Sequence, residues 1–242
     1  MEWIEKDYII NGYQVSAKYT KENVETIFQP LITQLVELQQ QKQQRILVFF
    51  AAPPACGKST LVSFLCDLAK ELGFDNMQYV GMDGFHYPNE YLDFHFIKGK
   101  LLREVKGCPE SFDLEKLRNY IIETKTKDID WPEYDRSIHN PKEHAIHIHK
   151  DIVLIEGNYL LLEEDGWKEL KQYCDYSVYI QANEHVLEKR LIDRKAKSTN
   201  TREEAIAFYQ KSDQKNIQRV LENTSDADLK LELDALGVYH HI

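Results

Sequence analysis

The residues best suited to hold a polyphosphate lie in one short stretch in the first quarter of the chain. It follows an apolar run that begins at Ile46, and it reads Ala52-Pro53-Pro54-Ala55-Cys56-Gly57-Lys58-Ser59-Thr60. A loop ending in Gly-Lys-Ser directs backbone N–H groups around a triphosphate, with the Lys on the β/γ oxygens and the Ser hydroxyl on Mg²⁺. We therefore predict ATP and Mg²⁺ as cofactors, with the nucleotide held by Pro54, Ala55, Cys56, Gly57, Lys58, Ser59 and Thr60.

This loop departs from the usual G-x-x-x-x-G-K-[ST] pattern, because Ala52 stands at the first Gly and Ala55 and Cys56 fill its interior. An ordinary strand-to-helix turn is the alternative, but it leaves Lys58 without a role. The order of apolar strand, Pro-rich turn, Gly-Lys-Ser-Thr and amphipathic helix favours a phosphate-binding loop. A thiol beside Lys58 among loop amides should be stabilised as a thiolate. We therefore predict that Cys56 is readily alkylated and that ATP protects it.

Other apolar runs predict the strands that position this loop. Besides the run at Ile46, they cover Met77–Met82, Ile152–Ile155, Tyr176–Ile180 and Leu229–Leu233, with helical segments between them. Strands that alternate with helices indicate an α/β fold, a mainly parallel sheet with helices on both faces. Such sheets bind ligands at the carboxyl ends of their strands, so the loop, Asp83 and Glu156 are expected at one edge.

Two acids follow predicted strands. Glu156 stands where P-loop enzymes keep an acid that holds Mg²⁺ or its water, although a solvent-facing charge is the alternative. Asp83 precedes Gly84, which permits a tight turn that leaves the carboxylate in the cleft. Phosphoryl transfer to an alcohol needs a base that accepts the hydroxyl proton. We therefore assign Ser59 and Glu156 to the metal and Asp83 to the base.

Two arginines lie four residues apart after the fourth strand. Arg190 and Arg194 share one face of a predicted helix, from which they could close over the transferring phosphoryl group and neutralise its charge. A plain surface pair is the alternative, since such spacing is common on exposed helices.

Composition limits the remaining possibilities. The 242 residues carry a formal net charge of −10, which argues against non-specific binding to nucleic acid or membrane surfaces. No apolar run is long enough for a bilayer, and the four separated cysteines suit free thiols in a reducing compartment, so a cytoplasmic protein is expected. The alternation from Ala145 to His149 predicts a strand with imidazoles facing solvent. We therefore predict no metal site for His139, His144, His147 and His149.

Four motifs resemble those of the P-loop kinases related to uridine kinase, phosphoribulokinase and bacterial type I pantothenate kinase. They are residues 83–89 (DGFHYPN), 106–113 (KGCPESFD), 132–135 (PEYD) and 155–162 (IEGNYLLL). The resemblance runs from about Ile46 to Leu233 and implies a five-stranded core, with Asp83 as catalytic base and Arg190 and Arg194 in a mobile lid.

The same resemblance sets the expected domain organisation. Residues 45–242 form the kinase domain, with an acceptor-binding insert at about 84–150 and the lid at about 187–216. Residues 1–44 form an extension packed on it, a hairpin around Asn11-Gly12 followed by a helix from about Pro30 that ends in a solvated Gln-rich stretch.

Departures from the relatives point to the acceptor. Pantothenate kinases resemble this chain but carry Leu at His86 and His at Arg136, and the ribose-binding Asp of uridine kinases falls at Gly107. Tyr134 and His139 match residues that contact the base in uridine kinases. We therefore favour a sugar-like or anionic acceptor gripped by His86, Arg103, Lys106 and Arg136.

The leading hypothesis is a kinase that phosphorylates the hydroxyl of a small metabolite with ATP and Mg²⁺. The alternatives are a nucleoside kinase, a pantothenate kinase and a nucleotide-binding regulator without acceptor chemistry. The expected partner is a small-molecule hydroxyl acceptor, with no nucleic acid and no membrane, and a homodimer is left open.

Overall fold

The computed structural model describes residues 1–10, 12–196 and 201–242. The strands in this part of the chain are β1 (Trp3–Ile10), β2 (Tyr13–Thr20), β3 (Ile46–Ala51), β4 (Met77–Gly81), β5 (Phe96–Ile97), β6 (Lys100–Leu101), β7 (Ile129–Asp135), β8 (Asn140–Ile148), β9 (Ile152–Gly157), β10 (Tyr176–Ala182), β11 (Leu229–Leu233) and β12 (Tyr239–His241).

Helices separate most of these strands. The α-helices are α1 (Lys21–Asn23), α2 (Gln29–Lys42), α3 (Lys58–Glu71), α4 (Asn89–Leu92), α5 (Leu114–Thr124), α6 (Glu184–Ala196), α7 (Arg202–Phe208) and α8 (Gln214–Glu222). Short 3-10 turns cover Met82–Phe85, Leu102–Val105, Pro109–Ser111 and Lys168–Tyr173, and π-helical turns cover Val24–Phe28 and Tyr209–Asp213.

The central sheet has six strands in the order β12-β11-β10-β3-β9-β4. Five of them are parallel, as predicted, and β12 pairs antiparallel with β11 at one edge. The sequence missed β12 because it has only three residues and no apolar run. Since β3 lies between β9 and β10, the loop after β3 emerges in the middle of the carboxyl edge, where such sheets bind ligands.

Two hydrophobic cores cover the two faces of this sheet. Along β3, Ile46, Val48 and Phe50 face one core and Leu47 and Phe49 face the other, as the two-residue period of a strand requires. The first core takes apolar residues from α2, α3, α6 and β2, and the second from α5, β7 and β8. Both faces are therefore dry, which explains why β3 is apolar at every position.

The N-terminal hairpin lies against α3. β1 and β2 pair from Trp3↔Thr20 to Ile10↔Tyr13, a longer ladder than predicted, while Asn11 of the predicted turn lies outside the described residues. Tyr19 packs on Phe64 of α3 with ring centroids 4.5 Å apart. The helix after the hairpin continues through the Gln-rich stretch to Lys42, and its last turn is exposed.

The segment between β4 and β9 contains α4, α5 and the pair β7–β8. Its approach to the sheet depends on Gly84, since a Cβ there would lie 2.1 Å from the carbonyl oxygen of Pro132 in β7. Gly84 lies in the 3-10 turn Met82–Phe85, as predicted, but it has no positive φ, so the close packing of two backbones is the reason that a glycine stands there. Among the residues described, no helix is long and apolar enough to cross a membrane.

Candidate active site

The loop between β3 and α3 has the shape of an anion cradle. Ala55 adopts a left-handed φ of +65° and Gly57 one of +89°, which turn successive amides toward one side of the chain. α3 begins at Lys58, so the N–H groups of its first turn have no partner within the helix. These amides and the positive end of a 14-residue helix suit a phosphate chain.

Lys58 is buried and, within the described part of the chain, has no carboxylate partner. Its Nζ donates to the carbonyl oxygens of Ala52 and Pro53, at 3.1 and 3.2 Å, and to Oδ1 of Asn158 at 2.6 Å. Burial lowers the pKa of Lys58, while nearby Glu156 opposes that shift. A buried cation that rests on neutral acceptors is ready to exchange them for phosphate oxygens.

The two predicted metal ligands, Ser59 and Glu156, are hydrogen-bonded to each other. The Ser59 hydroxyl donates to Oε1 of Glu156 at 2.6 Å, and burial raises the pKa of Glu156, against which Lys58 acts. Mg²⁺ is usually held by one or two protein ligands together with phosphate oxygens and water. No cluster of three or more His, Cys, Asp or Glu side chains suited to a metal occurs in the described ranges. The donor set therefore fits Mg²⁺ that arrives with a triphosphate.

Asp83 is half-buried in the 3-10 turn that follows β4. Its charge acts on Lys58 and Glu156 on one side and on His86, Tyr134 and Arg194 on the other. The neighbouring turn is fixed by Gly157, where a Cβ would overlap the Met82 side chain at 2.2 Å. Asp83 thus stands between the phosphate loop and the insert, where a base for the acceptor hydroxyl would have to stand.

Arg190 and Arg194 of α6 have different surroundings. Arg190 donates to the carbonyl oxygen of Ala55 at 3.3 Å, on the loop itself. The Arg194 side chain reaches solvent. Partial desolvation by the surrounding protein and the charge of Arg136 lower the pKa of its guanidinium, and Asp213 and Asp83 oppose this shift. The predicted lid continues through residues 197–200, which lie outside the described residues.

A cationic group lines the insert near Asp83. The Lys106 Nζ lies 4.9 Å from the Tyr134 ring centroid and donates to Oδ1 of Asn89 and to the His139 carbonyl. Burial and, to a smaller extent, Arg103 lower the pKa of Lys106 to about 8. Nη1 of Arg103 is buried and has no hydrogen-bond partner among the residues that the structure describes. Burial, followed by Asp83, raises the pKa of Tyr134 to about 12.

Arg136 belongs to the same group. Among the described residues it makes no hydrogen bond and no ion pair, and its charge is felt by His86, Tyr134, Glu156 and Arg194. A half-buried guanidinium without an acceptor is a site for an anion.

His86, which the sequence assigns to the acceptor pocket, is a polar group there and adds no positive charge near pH 7. Its ring is stacked on Phe112, with centroids 3.8 Å apart, and lies beside Tyr134. Burial lowers the pKa of His86 to about 4, although Asp83 opposes this. His86 is therefore neutral near pH 7 and can offer an acceptor a hydrogen bond but no charge.

Two further sequence-based assignments need adjustment. The His139 side chain is exposed, and its contribution to the group is its carbonyl oxygen, which accepts from Lys106. Gly107, where uridine kinases place a ribose-binding Asp, has a φ of +103°, a conformation that an aspartate adopts only with strain. At this position the chain therefore has a backbone turn in place of the Asp carboxylate that binds ribose in uridine kinases.

The predicted reactivity of Cys56 is contradicted. The thiol is fully buried and donates to the carbonyl oxygen of Ile180 at 3.7 Å. Burial raises the pKa of Cys56 to about 11, and the opposing effects of Lys58 and Arg190 are smaller. The side chain packs under the loop as a small apolar group instead of facing its anion-binding side.

Several contacts that position the site were not predicted. Asn158 holds Lys58, and the Tyr159 hydroxyl donates to the Gly107 carbonyl at 2.5 Å. Arg219 of α8 binds Glu110 through two nitrogens, each at 2.9 Å, and also binds Glu164. Asn158 and Tyr159 lie two and three residues after Glu156, within the same motif, so that motif was a signal for both. Nothing in the sequence signalled the Arg219 pairs.

Comparisons with known proteins agree with this arrangement. The sequence profile of the Phosphoribulokinase / Uridine kinase family matches residues 47–233. An Escherichia coli (strain K12) protein named "Uncharacterized protein YggC" is 41% identical over 233 residues, which cover 96% of each chain. "Putative uridine kinase C227.14" of Schizosaccharomyces pombe is 30% identical over 198 residues, 78% of this chain and 84% of the relative.

A solved structure shows the same fold. It is described as a "putative fructose transport system kinase from Silicibacter sp. TM1040", and it superposes with a TM-score of 0.77 at 29% identity. The superposition covers 85% of this chain and 98% of the other.

Proposed function

The chain belongs to the Phosphoribulokinase / Uridine kinase family, and on that premise we propose that it transfers the γ-phosphoryl group of ATP to a hydroxyl of a small, sugar-like, anionic metabolite, with Mg²⁺. One observation carries the proposal. Asp83 lies between a phosphate-binding loop with a buried Lys58 and a group of three cations, Arg103, Lys106 and Arg136. Of these, Lys106 donates only to neutral oxygens, and Arg136 has no acceptor among the described residues.

Each component of phosphoryl transfer has a candidate in this arrangement. The loop amides and Lys58 would bind the phosphates, and Ser59 and Glu156 would hold the magnesium ion that ATP brings. Asp83 would accept the hydroxyl proton, and Arg194 would neutralise charge on the transferring group. Arg190, which lies on the loop at Ala55, would contact the nucleotide nearer its α-phosphate.

The acceptor is inferred from charge. The protein has a formal net charge of −10, yet the insert beside Asp83 carries three cations, Arg103, Lys106 and Arg136. Arg103 lowers the pKa of Lys106, and both Arg136 and Arg103 act on Tyr134, so the three charges lie near one another. The carboxylate nearest to Arg103 is Asp93 at 3.9 Å, on the exposed side of the insert. Concentrated positive charge in an acidic protein favours a carboxylate or phosphate on the acceptor.

The direct test is an ADP-release assay with MgATP and a panel of acceptors. The panel contains pentoses, sugar acids, sugar phosphates, nucleosides and pantothenate. We expect an acid or phosphate ester of a sugar to give the highest kcat/KM, and its uncharged parent sugar to be poorer. Equal use of the charged and uncharged members of each pair would overturn the anionic acceptor.

A nucleoside acceptor is the second candidate. It is favoured by the relative named as a uridine kinase and by Tyr134, whose ring could stack on a base. Against it, Gly107 supplies no carboxylate for the ribose, and the His139 side chain is exposed. Efficient phosphorylation of uridine in the panel would establish this alternative.

Replacing Arg136 by His should impair acceptor binding selectively. Loss of a bidentate, charge-assisted contact corresponds to an increase in acceptor KM of about 10- to 100-fold, while the KM for ATP should stay within about twofold. Initial-rate kinetics with each substrate varied would measure both constants. Arg118→His is a matched control, because Arg118 lies in the same insert but contacts Tyr173. An unchanged acceptor KM in Arg136→His would refute this assignment.

Acceptor binding should also depend on pH in a way set by Lys106. Its pKa is lowered to about 8, so the cation is present below that pH and is lost above it. KM for a carboxylate acceptor, which does not titrate in this range, should therefore rise as the pH increases beyond about 8, and it should stay flat through pH 6–7 because His86 is already neutral. In Lys106→Arg the rise should move to higher pH. A histidine-like change near pH 6.5 would contradict this account.

A further inference from the structure

A cavity of about 590 Å³ opens beside the phosphate-binding loop, and neither Asp83 nor Glu156 lines it. Its walls come from three parts of the chain: Cys56, Gly57 and Thr60 of the loop and helix, Trp3 and residues 15–19 of the hairpin, and Leu236 and Tyr239 of the C-terminal turn. This volume lies within the range of small-molecule sites.

The cavity begins where the nucleoside of a bound triphosphate would leave the loop. Lys58 and Ser59 contact Asn158 and Glu156, which marks the γ-phosphate end. Phosphate loops of this type hold the α- and β-phosphates on their amides, so ribose and base must continue from the opposite end. Gly57 and Thr60 line the cavity at that end, and Arg190 lines it as well.

The hairpin offers the cavity groups that suit a base. Residues 15–19 are consecutive, so the edge of β2 itself faces the space, and β2 pairs only with β1. Such an edge presents backbone N–H and C=O groups that can hydrogen-bond a base. Trp3, 38% exposed, supplies an aromatic face, and any of the nucleotide bases can stack on such a face.

This wall is fixed before any ligand binds. The Asn23 side chain donates to the Tyr239 carbonyl and accepts from the Tyr239 N–H, both at 2.8 Å, which joins the two ends of the chain. Tyr19 packs between Phe28 and Phe64 with centroids 5.3 and 4.5 Å away. Lys6 of β1 is ion-paired with Glu71 of α3. A preformed wall costs little ordering on binding.

The wall also lies outside the part of the chain that the family profile matches, residues 47–233. Trp3, residues 15–19, Leu236 and Tyr239 all fall before or after those limits. The phosphate end of the cavity thus lies within the part of the chain that the family profile matches, and most of its far end is contributed by segments outside that part.

We propose that the N-terminal hairpin and the C-terminal turn form the nucleoside subsite of the triphosphate, with the base stacked on Trp3 and read by the free edge of β2. This inference rests on the proposed function, since it takes the loop to bind a nucleoside triphosphate. It gives the hairpin a role in affinity and nucleotide choice and none in the transfer step.

The test compares ATP with inorganic tripolyphosphate, which has the phosphates but no nucleoside. Dissociation constants would be measured by titration calorimetry in Mg²⁺ for wild type, Trp3→Ala and Trp3→Phe. We expect Trp3→Ala to weaken ATP about tenfold and tripolyphosphate less than about twofold, with Trp3→Phe close to wild type. Ile9→Ala is the matched control, because Ile9 is an exposed apolar residue (78%) on the same strand, away from the cavity.

Tryptophan fluorescence gives a second measurement. Trp131 and Trp167 are buried, so acrylamide quenching of the native protein reports mainly on Trp3. ATP should reduce this quenching and tripolyphosphate should not. Equal ATP affinity in wild type and Trp3→Ala, or an equal loss for both ligands, would overturn the subsite while leaving the kinase proposal intact. Failure of the wild type to bind ATP would overturn both.

Discussion

Lys58→Ala should reduce phosphoryl transfer by about 10³-fold or more and weaken ATP binding. The reason is that Lys58 is the one buried cation at the loop among the described residues, and its present acceptors, two carbonyls and Asn158, are neutral. Loss of a single preorganised charge at a transferring phosphoryl group has effects of this size. Steady-state turnover together with calorimetric ATP binding would measure both consequences.

A folding defect can be separated from a catalytic one at this position. Lys58→Met keeps the aliphatic stem in its buried place and removes only the charge, so it should unfold near the wild-type temperature yet show the same loss of turnover. Asn158→Ala removes one acceptor of the Lys58 ammonium and should have a smaller effect on turnover. Near-normal turnover in Lys58→Met would end the phosphate-loop assignment.

Local patterns were sufficient to predict the loop, the five parallel strands and the edge at which Asp83 and Glu156 meet. Each of those features depends on residues close in sequence, and the strand-end rule then brings them together in space. The antiparallel strand β12 was not predicted, because its three residues form no hydrophobic pattern of their own. They are held by pairing with β11 and by the side chain of Asn23.

The protonation states of Cys56 and His86 could not be predicted from the sequence, because they depend on burial by residues that are distant in the chain. Cys56 was expected to be a thiolate beside Lys58, but packing under Ile180 outweighs that charge. His86 was assigned to the acceptor pocket without a protonation state, and stacking on Phe112, 26 positions later, keeps its ring neutral near pH 7. In both cases desolvation disfavours the charged form of the side chain more than the neighbouring charges favour that form.

The arginine pair shows a geometric limit of the same kind. Residues four apart on a helix were assigned to one target, yet they are separated by about 6 Å along the axis. That distance lets Arg190 reach Ala55 on the loop while Arg194 lies within the fields of Asp83 and Asp213. The two side chains can therefore serve different phosphates of one nucleotide.

Asp83→Asn should lower acceptor-dependent turnover by about 10²- to 10⁴-fold while ATP affinity stays within a few-fold of wild type. A positioned general base contributes this much, and the substitution keeps the shape of the side chain while removing its ability to accept a proton. Among the described residues no hydrogen bond joins Asp83 to the loop amides, and its influence on Lys58 is weaker than that of Glu156. Single-turnover rates with acceptor present and absent would isolate the transfer step.

The same carboxylate also distinguishes an enzyme from a nucleotide sensor. Asp130→Asn provides the control, since Asp130 is an exposed acid of the same insert that pairs with His147, and its loss should leave both turnover and ATP binding unchanged. If Asp83→Asn also turned over its acceptor at the wild-type rate, the base would have to be sought elsewhere. If neither variant nor wild type phosphorylated any acceptor while ATP bound through Lys58, a regulatory role would follow. A loss confined to Asp83→Asn requires that an acceptor hydroxyl gives up its proton at this position, because a sensor that only binds nucleotide gains nothing from a base beside the γ-phosphate.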